Sequence, residues 1–569
     1  MINCFSIKIK KASEKQYTDK DHYLLPGDMS LTLNSSGPNK VINTDDFIYF
    51  RFGYLLAQEC EAIDTTIANG LFNNQNEALT ANNGYFTILF FNKKTAEGRF
   101  YTDRIGAHKT YFQCKNKELH ISNIPENYAF NNTDTIDPSW LVEAVNFKIC
   151  TGSTTFNPDI KQIPAGHYYK FDSSLAPVNT GFYWQVGDRK SSSSLSLDEA
   201  TNESLRLINQ HLESANVKNK KVAVLLSGGV DSSLLAALTK EHNNNVVAVT
   251  PIFSSGENPE LKAAISMAKQ INIEHQIVEI SDSDISEEFG TIVDFIKQPI
   301  RSPQTIIFSI LMRQFKGKFD AVVFGEGADM VFGYHAVKQA ANRYEKYCKV
   351  AFLKPVAPFL TIFKSISTVK KLLDLLKEPL SVQVLNSWAI EYPPEIKCKL
   401  PGITSLPSEL EIIQWLNLSN LNYKDVTKHE FENLIRRFIM QESCMYHFYT
   451  MGSIADRDGI ELISPFFDTD VINFATNFDN HLYFGDEHTK PILRKLGERF
   501  YDKEIIYAKK KGFPVPHKRW LEGPLKEEAQ LAKSFIAKIY GEGATKNNEF
   551  VWLVMALQKL KIEKSIVPS

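Results

Sequence analysis

The stretch that most constrains this chain is residues 221–233, where an apolar run rich in valine ends in a turn of small residues. The turn reads Ser-Gly-Gly-Val-Asp-Ser at 227–232, and a second apolar stretch follows it at 234–240. This order predicts a strand, a loop and a helix. Glycines let a backbone approach an anion closely, and a helix N-terminus offers unpaired N–H groups. We therefore expect the turn to bind a polyphosphate.

The surroundings of this turn exclude one class of nucleotide site and indicate a fold. The turn contains no lysine, whereas a Walker-type P-loop ends in Gly-Lys-Ser/Thr. Apolar strand patterns at 222–226, 246–249 and 275–280 alternate with helical patterns at 205–212 and 260–268. The alternation predicts an α/β fold with a doubly wound parallel sheet, which binds its ligand at the carboxyl ends of the strands.

A second glycine-rich turn follows another apolar run, at 321–324. It reads Gly-Glu-Gly-Ala-Asp at 325–329, which places Glu326 and Asp329 three residues apart. Asp231 and Asp329 stand on different loops, and Mg²⁺ is commonly bound by few carboxylates together with polyphosphate oxygens. We therefore predict that these two acids bind Mg²⁺ beside ATP. The alternative for each acid is a helix cap or a solvated carboxylate.

The first 185 residues follow a different pattern. Short alternating apolar runs, separated by Gly, Asn and Asp, predict stacked antiparallel sheets rather than strands alternating with helices. Residues 186–200 are polar and rich in serine, as expected of a linker. The sequence thus predicts a front domain at 1–185 and a back domain at 201–569.

Composition narrows the possible partners. The 64 Lys and Arg residues nearly balance the 66 Asp and Glu residues, so no strong global field attracts nucleic acid or an anionic membrane. The longest apolar stretch, 350–363, is interrupted by a lysine and two prolines and is too short to span a bilayer. The seven cysteines contain no Cys-x-x-Cys pair, which argues against a zinc site. We expect a cytoplasmic protein, and leave its oligomeric state open.

Five segments of the back domain resemble motifs of the asparagine synthetase family. Besides the turns at 227–232 and 325–334, they are Gly-Ile-Glu-Leu-Ile-Ser-Pro-Phe-Phe-Asp at 459–468 and the basic segments at 490–494 and 507–516. The resemblance implies an ATP pyrophosphatase domain that splits ATP into AMP and pyrophosphate. It also implies that an N-terminal-nucleophile glutaminase domain, built of β-sheets, precedes it.

The same resemblance implies roles for individual residues. Glu326 would be the general base for the attacking amine, Lys510 would stabilise charge on the α-phosphate, and Glu461 would orient the base or the substrate. A triple-lysine run alone is usually a solvated loop, and a structural role explains Glu461 equally well. Two positions depart from the family, which has an acid at Met330 and an arginine at Ala508. The predicted ATP contacts are Leu226, Ser227, Gly228, Gly229, Val230, Asp231, Ser232, Val249 and Gly325.

The front domain resembles the family's glutaminase in packing and turn elements, at 83–86 and 103–106, but lacks its chemistry. Such glutaminases need a cysteine directly after the initiator Met, because its freed amine serves as the base for its own thiol. Here that position holds Ile2, Cys4 is internal, and Arg-Phe-Gly at 51–53 stands roughly where the family has Asn-Gly-Glu. We predict a degenerate domain that does not hydrolyse glutamine.

These inferences together predict an AMP-forming amide ligase. The carboxylate of a small molecule or peptide would attack ATP, and an amine or ammonia would then displace AMP. A dead glutaminase-like domain beside a live synthetase half resembles β-lactam synthetases and lasso-peptide cyclases, which implies a role in specialised-metabolite biosynthesis. The alternatives are an ammonia-using asparagine synthetase, a catalytically silent ATP-binding regulator, and a different enzyme with a pyrophosphate-binding loop.

Overall fold

A computed structural model of the chain describes residues 5–11, 22–26, 29–36, 38–56, 61–123, 136–148, 152–186, 195–254, 260–300, 302–363, 368–369, 372–373, 376, 396, 426–440, 445–476, 478–485, 487–508 and 515–566. Within this part of the chain, two antiparallel sheets form the front of the molecule and one parallel sheet forms the back.

The front domain is a sandwich of two six-stranded sheets. Its strands are β1 (Phe5–Lys11), β2 (His22–Leu25), β3 (Met29–Ser35), β4 (Asn39–Asn43), β5 (Phe47–Leu55), β6 (Gly84–Asn92), β7 (Glu97–Thr102), β8 (Tyr111–Lys115), β9 (Glu118–Ser122), β10 (Lys161–Gln162), β11 (His167–Phe171) and β12 (Pro177–Phe182). One sheet has the order β10-β8-β9-β1-β3-β2 and the other β12-β11-β7-β6-β5-β4. The predicted antiparallel sheets are confirmed.

The sandwich is held together by apolar residues at alternating positions. In β1, Ile7 and Ile9 are fully buried and face the second sheet, while the lysines between them point outward. They pack in one core with Leu89 and Phe100 of the opposite sheet. Two helices, α1 (Glu61–Phe72) and α2 (Glu77–Thr80), cover the outer face of the second sheet through Ile67 and other apolar side chains.

The back domain is built on a five-stranded parallel sheet. Its strands are β13 (Val222–Leu225), β14 (Val246–Phe253), β15 (Glu274–Ile280), β16 (Ala321–Val323) and β17 (Glu461–Ile463). The order is β15-β14-β13-β16-β17, so the chain first builds outward on one side of β13 and then crosses to the other side. This reversal between β13 and β16 is the switch point at which parallel sheets bind ligands. The predicted parallel α/β sheet is confirmed.

Helices of the back domain flank and extend this sheet. After α3 (Pro138–Phe147) of the front half, they are α4 (Leu197–Ser214), α5 (Val230–His242), α6 (Leu261–Gln270), α7 (Asp282–Ile296), α8 (Gln304–Phe315), α9 (Ala328–Phe332), α10 (His335–Val350), α11 (Ala357–Leu360), α12 (Lys428–Phe438), α13 (Met445–Arg457), α14 (Thr469–Ala475), α15 (Asn480–Tyr483), α16 (Pro491–Gly497), α17 (Lys503–Ile506), α18 (His517–Glu522), α19 (Lys526–Tyr540) and α20 (Asn548–Lys559). No helix in the described ranges has the length and apolar character needed to cross a membrane.

The two domains meet along a seam centred on α13. Phe448 of this helix stacks on Phe467 of the back domain, with ring centroids 4.4 Å apart, and lies 5.9 Å from Tyr85 of the front domain. Gly452 is needed one turn later, because a Cβ there would lie 2.5 Å from the carbonyl oxygen of Ala107. One face of α13 therefore packs closely against the front domain.

Polar contacts complete the seam. Asn83 donates to the carboxylates of Asp468 and Asp470, at 3.3 Å each. His108 Nδ1 lies 2.5 Å from Asp456 Oδ2, at the C-terminal end of α13. The segments at 83–86 and 103–106, which the sequence identifies as packing and turn elements, thus lie at or beside the contact between the domains.

Candidate active site

The turn at 227–232 lies at the carboxyl end of β13, in the centre of the parallel sheet. Gly228 has φ +83° and packs so closely on α6 that a Cβ would lie 2.8 Å from the carbonyl oxygen of Glu260. Ser232 Oγ accepts from the backbone N–H of Ser227 at 3.1 Å and donates to the carbonyl oxygen of Gly229 at 3.2 Å. These contacts fix the turn at the N-terminus of α5, where the helix dipole favours an anion.

Neighbouring backbone groups hold the turn in place. The Leu226 N–H donates to the carbonyl oxygen of Val249 at 2.9 Å, and the Thr250 hydroxyl donates to the carbonyl oxygen of Leu226 at 2.6 Å. At the other end, the Tyr501 hydroxyl donates to the carbonyl oxygen of Ser233 at 2.7 Å. Val249, a predicted ATP contact, is buried and holds the turn in place through its backbone carbonyl.

The second turn, after β16, lies directly beside the first. A Cβ on Gly325 would lie 3.6 Å from Asp231 Cβ, so the two loops are in van der Waals contact. Gly327 has φ +90° and lies against the ring of Phe467. The Ser464 hydroxyl donates to the carbonyl oxygen of Glu326 at 3.1 Å and fixes the backbone that carries this carboxylate.

A cavity of about 450 Å³ opens between the two turns. Its polar wall carries the carboxylates of both turns and of Glu260, which precedes α6, and its apolar wall includes side chains of α8, α13 and Phe324. The lining residues are Leu225, Leu226, Ser227, Asp231, Ser232, Pro251, Glu260, Gln304, Ile307, Phe308, Leu311, Phe324, Gly325, Glu326, Asp329 and Met451. The cavity falls within the size range of small-molecule and cofactor sites.

Lys490 joins the two predicted metal ligands. Its ammonium lies 2.6 Å from Asp231 Oδ2 and 2.6 Å from Asp329 Oδ1, with only 4% of the side chain exposed. The residue precedes α16 with φ +60°, an uncommon conformation for a lysine. The sequence places Lys490 in a family motif but gives it no role. Only the fold shows that it reaches both turns.

Charges around Lys490 are unequal, with two carboxylates for one ammonium. Asp231 Oδ1 is buried and accepts no hydrogen bond from any described residue, and 44% of the Asp329 side chain is exposed. The described residues contain no cluster of three or more His, Cys, Asp or Glu that could enclose a metal by themselves. The two acids therefore suit a cation that takes its remaining ligands from phosphate oxygens and water.

Glu326 lies on the wall of the cavity with 28% of its side chain exposed. Its Oε1 is 3.7 Å from Nδ1 of His447, a residue of α13 that sequence reasoning did not identify. No local motif marks His447, because it is about 120 positions away along the chain and meets Glu326 only through the fold.

Glu461, another predicted catalytic residue, is not brought to this cavity. Glu461 begins β17 and pairs in register with Ala321, at the opposite end of the sheet from the two turns. There its carboxylate lies 2.6 Å from the Lys220 ammonium; burial raises the pKa of Glu461, and Lys220 opposes that rise. This location favours the structural alternative for Glu461. Lys510 lies outside the described residues.

The two departures from the family have different surroundings. Met330 is 4% exposed and belongs to the core behind the second turn, so an apolar side chain there contributes to packing. Ala508 is exposed at the end of the described segment before residue 509. Neither side chain lines the cavity.

In the front domain, the basic group of the 51–53 segment is buried in an ion pair. Arg51 donates to both oxygens of Asp64, at 2.8 and 2.9 Å, and Tyr49 donates to the same carboxylate at 2.6 Å. Burial alone would raise the pKa of Asp64, but the hydrogen bonds from Arg51 and Tyr49 hold it below its usual range. Ile2 and Cys4 lie outside the described residues.

Comparison with known proteins places these features in a family. The asparagine synthase family matches residues 205–534, which is more than half of the chain. Asparagine synthetase 1 of Bacillus subtilis, named as glutamine-hydrolysing, is 22% identical over 523 residues, covering 86% of this chain and 80% of that protein. A tRNA-specific 2-thiouridylase of Petrotoga mobilis is 32% identical over 152 residues, covering 23% of this chain and 40% of that protein.

Among solved structures, the NH3-dependent NAD synthetase of Campylobacter jejuni matches 25% of this chain and 62% of its own, at 19% identity. The TM-score of that match is 0.18, which is too low to support an argument about fold or function. The family match, in contrast, spans both turns, Lys490 and most of the helices around the cavity. The chain therefore belongs to the asparagine synthase family.

Proposed function

We propose that the protein is an ATP-dependent, AMP-forming ligase that joins a carboxylate to an amine or ammonia without hydrolysing glutamine. The observation that carries the proposal is the position of Lys490 between Asp231 and Asp329, at the contact of two glycine-rich turns. The buried ammonium of Lys490 and the glycine-rich turn at 227–232 are suited to bind a polyphosphate. The adjoining cavity of about 450 Å³ leaves room for a second substrate.

In the first half-reaction, a carboxylate oxygen attacks the α-phosphorus of ATP and pyrophosphate leaves. The N–H groups of the 227–232 turn and the N-terminus of α5 bind the phosphates. Lys490, exchanging part of its pairing with Asp231 and Asp329 for phosphate oxygens, stabilises the charge on the departing pyrophosphate. The backbone groups of the turn are fixed before ATP arrives, so only the Lys490 side chain has to change its partners.

Mg²⁺ fits the same place. Asp231 Oδ1, which is buried without a partner among the described residues, and the half-exposed carboxylate of Asp329 are hard oxygen ligands on two neighbouring loops. When bound, the ion would neutralise the negative charge of the pyrophosphate. Lys490 would then shift toward the phosphates, because one ammonium and one divalent cation together exceed the charge of the two carboxylates.

In the second half-reaction, the amine nitrogen attacks the acyl carbon and AMP leaves with the oxygen through which the acyl group was attached. Glu326, on the wall of the cavity, is placed to accept the proton that the amine loses. The role of Lys510 remains the prediction made from its motif. The product amide and AMP then share the cavity until they are released.

The front domain supports the proposed nitrogen source. Cys4, the cysteine ahead of β1, follows Asn3, so its α-amine is in a peptide bond and cannot act as the base of an N-terminal nucleophile. In the described part of the chain, Arg51 donates to Asp64 and to the carbonyl oxygen of Gly53. The Bacillus relative is named as glutamine-hydrolysing, and we propose that this chain differs from it in that activity.

We further infer that the acid and the amine are small molecules or peptides of specialised metabolism, and that the enzyme acts in the cytoplasm. The apolar wall of α8 and α13, with Ile307, Phe308 and Met451, suits an acid whose side chain is less polar than that of aspartate.

ATP–pyrophosphate exchange with pooled carboxylates tests the first half-reaction and identifies the acid. We expect exchange with one pool, and amide formation with added amine or ammonia but not with glutamine. Exchange with none of a broad panel, while ATP still binds, would favour a silent ATP-binding regulator. Glutamate release from glutamine that depends on Cys4 would refute the proposed nitrogen source.

A further inference from the structure

We infer that His447 is a positioning residue that orients Glu326 for the proton transfer from the amine. The inference rests on the proposed function, because it concerns the second half-reaction of the same site. The observation behind it is the distance of 3.7 Å between His447 Nδ1 and Glu326 Oε1, across the cavity wall from α13 to the turn after β16.

Both partners are carried on rigid backbone. The Ser464 hydroxyl holds the carbonyl of Glu326, and the ring of Phe467 lies against Gly327, the next residue. On the other side, Phe448 follows His447 in α13 and stacks on the same Phe467 ring at 4.4 Å. One buried ring therefore fixes the helix that carries the imidazole relative to the turn that carries the carboxylate.

The surroundings of the imidazole place its proton on the nitrogen that faces Glu326. His447 is only 13% exposed, and its Nε2 is buried without a hydrogen-bond partner in the described part of the chain. An N–H buried without an acceptor is costly, so the Nδ1–H tautomer is favoured and can donate to the carboxylate. The distance of 3.7 Å between Nδ1 and the Glu326 carboxylate is too long for a hydrogen bond. It must shorten when the substrate binds, as catalytic hydrogen bonds often do.

The charges in the cavity explain why Glu326 needs such a partner. Its other ionisable lining groups are Asp231, Glu260 and Asp329, all acids, and Lys490 is already between two of them. The described lining side chains therefore include no cation that could orient Glu326, and a donor from His447 can fix the direction of its lone pairs. When Glu326 has accepted the proton of the amine, the Nδ1–H stays on the imidazole, and Glu326 gives its proton to solvent when the products leave.

The two half-reactions separate this role from a structural one. Adenylation needs the phosphate turn and Lys490 but no base for an amine, so His447→Leu should leave ATP–pyrophosphate exchange within about threefold of wild type. Amide formation with the natural amine should fall by about tenfold to a hundredfold in kcat, because a misplaced catalytic group costs about that much. His447→Asn, whose Nδ2 can replace the Nδ1–H donor, should recover most of the orienting effect.

Hydroxylamine provides the decisive comparison, because this nucleophile is largely unprotonated at neutral pH and needs no base. Hydroxamate formation by His447→Leu should match wild type, while amide formation does not. Ser453→Ala on the same helix, which removes only a bond to the Tyr449 carbonyl oxygen, should leave both half-reactions unchanged.

Full amide formation by His447→Leu, or an equal loss of exchange, hydroxamate and amide formation, would overturn the inference. Failure of wild-type protein to catalyse exchange with any acid would instead refute the proposed function, and the inference with it.

Discussion

Two buried ion pairs, one in each domain, differ in how their charges are matched among the described residues. In the front domain Arg51 donates two hydrogen bonds to Asp64. In the back domain Lys490 lies between two carboxylates, Asp231 and Asp329, and one oxygen of Asp231 is left buried without a partner among the described residues. The described contacts thus match one cation with one carboxylate in the front domain and one cation with two carboxylates in the back domain.

Buried charges of this kind can serve structure or function. A matched, bidentate pair satisfies its own hydrogen bonds, so the role of Arg51 and Asp64 is to hold α1 against β5. An unmatched set is unfavourable in isolation and is stabilised when a cation and phosphates arrive. The cavity of about 450 Å³ adjoins Asp231 and Asp329. The turn at 227–232 also contains the glycines that allow a phosphate to approach the backbone.

The largest effect on the rate of ATP–pyrophosphate exchange is expected from removing the charge of Lys490 or of Asp231. Lys490→Met should lower the rate of ATP–pyrophosphate exchange by roughly 10²- to 10³-fold, as expected for loss of one preorganised electrostatic contact. Asp231→Ala should do the same. The control is Lys495→Met on the same helix, whose ammonium pairs with the exposed Asp198 and should leave exchange unchanged. If exchange survives both Lys490→Met and Asp231→Ala, the ion pairs around Lys490 are not needed for adenylation and differ from the Arg51–Asp64 pair only in structure.

A second test concerns the backbone of the phosphate turn. Gly228→Ala should raise the KM for ATP by roughly tenfold to a hundredfold, since the new Cβ would lie 2.8 Å from the Glu260 carbonyl oxygen and displace the turn. Gly317→Ala is the matched control, because Gly317 also has positive φ, at +72°, but has no atom within 4 Å of the added Cβ. Equal effects of the two substitutions on KM would show that backbone strain, and not the shape of the turn, is responsible.

The ion pair of Arg51 and Asp64 in the front domain should affect the stability of the protein and not its activity. Arg51→Met leaves Asp64 buried and unpaired, which should destabilise the protein by about 3–5 kcal/mol and lower its urea midpoint. Exchange per folded molecule should not change. The double variant Arg51→Met, Asp64→Leu should recover much of the loss, because no uncompensated charge remains. A specific loss of exchange in the folded Arg51→Met protein would contradict the assignment of this pair as structural.

The seam between the domains gives the smallest expected effect, through pH. Asp103 is fully buried; burial raises its pKa to about 6, although His108 and the backbone N–H groups of Ala107 and Ile105 act against the rise. Because this pKa lies above the unfolded value of 3.8, the folded state holds the proton more tightly, and stability is lost as the pH rises from about 4 through 6.

The contribution of Asp103 to the free energy of unfolding falls by about 1 kcal/mol between pH 5.5 and 8. His108 acts in the same direction: burial opposes its protonation, but Asp456 and Asp103 raise its pKa, so its contribution is also lost at high pH. The urea midpoint should therefore fall from pH 5.5 to 8. Asp103→Asn, which keeps an oxygen for Ile105 and Ala107 but cannot titrate, should flatten that slope. An unchanged slope would exclude Asp103 as its source.

Local patterns in the sequence were sufficient for the sheets and for both turns. Apolar runs that end in small residues predict β13 and β16 with their loops, and alternating runs predict strands such as β5, β6 and β11. The strand β1 was not predicted, because its two buried isoleucines alternate with polar residues in a stretch of only seven residues. Strand β14 continues through Pro251, which in sequence marks a break.

The composition of the site depended on contacts that no local pattern contains. Lys490 is 259 positions from Asp231, and His447 reaches Glu326 from a helix on the domain seam. Conversely, Glu461 stands in a family motif, yet the short strand it begins carries it to the far end of the sheet. Sequence motifs identify which segments meet, whereas the pairing of individual side chains is decided by the direction of strands and helices.

The central claim is that the back site activates a carboxylate by adenylation. Once exchange has identified the acid, this substrate can be labelled with ¹⁸O in its carboxylate and converted to amide with ATP and amine. The account predicts AMP carrying one ¹⁸O atom and unlabelled pyrophosphate, because the carboxylate oxygen bonded to the α-phosphorus leaves with AMP. Formation of ADP with ¹⁸O in inorganic phosphate would show attack at the γ-phosphorus and contradict the account.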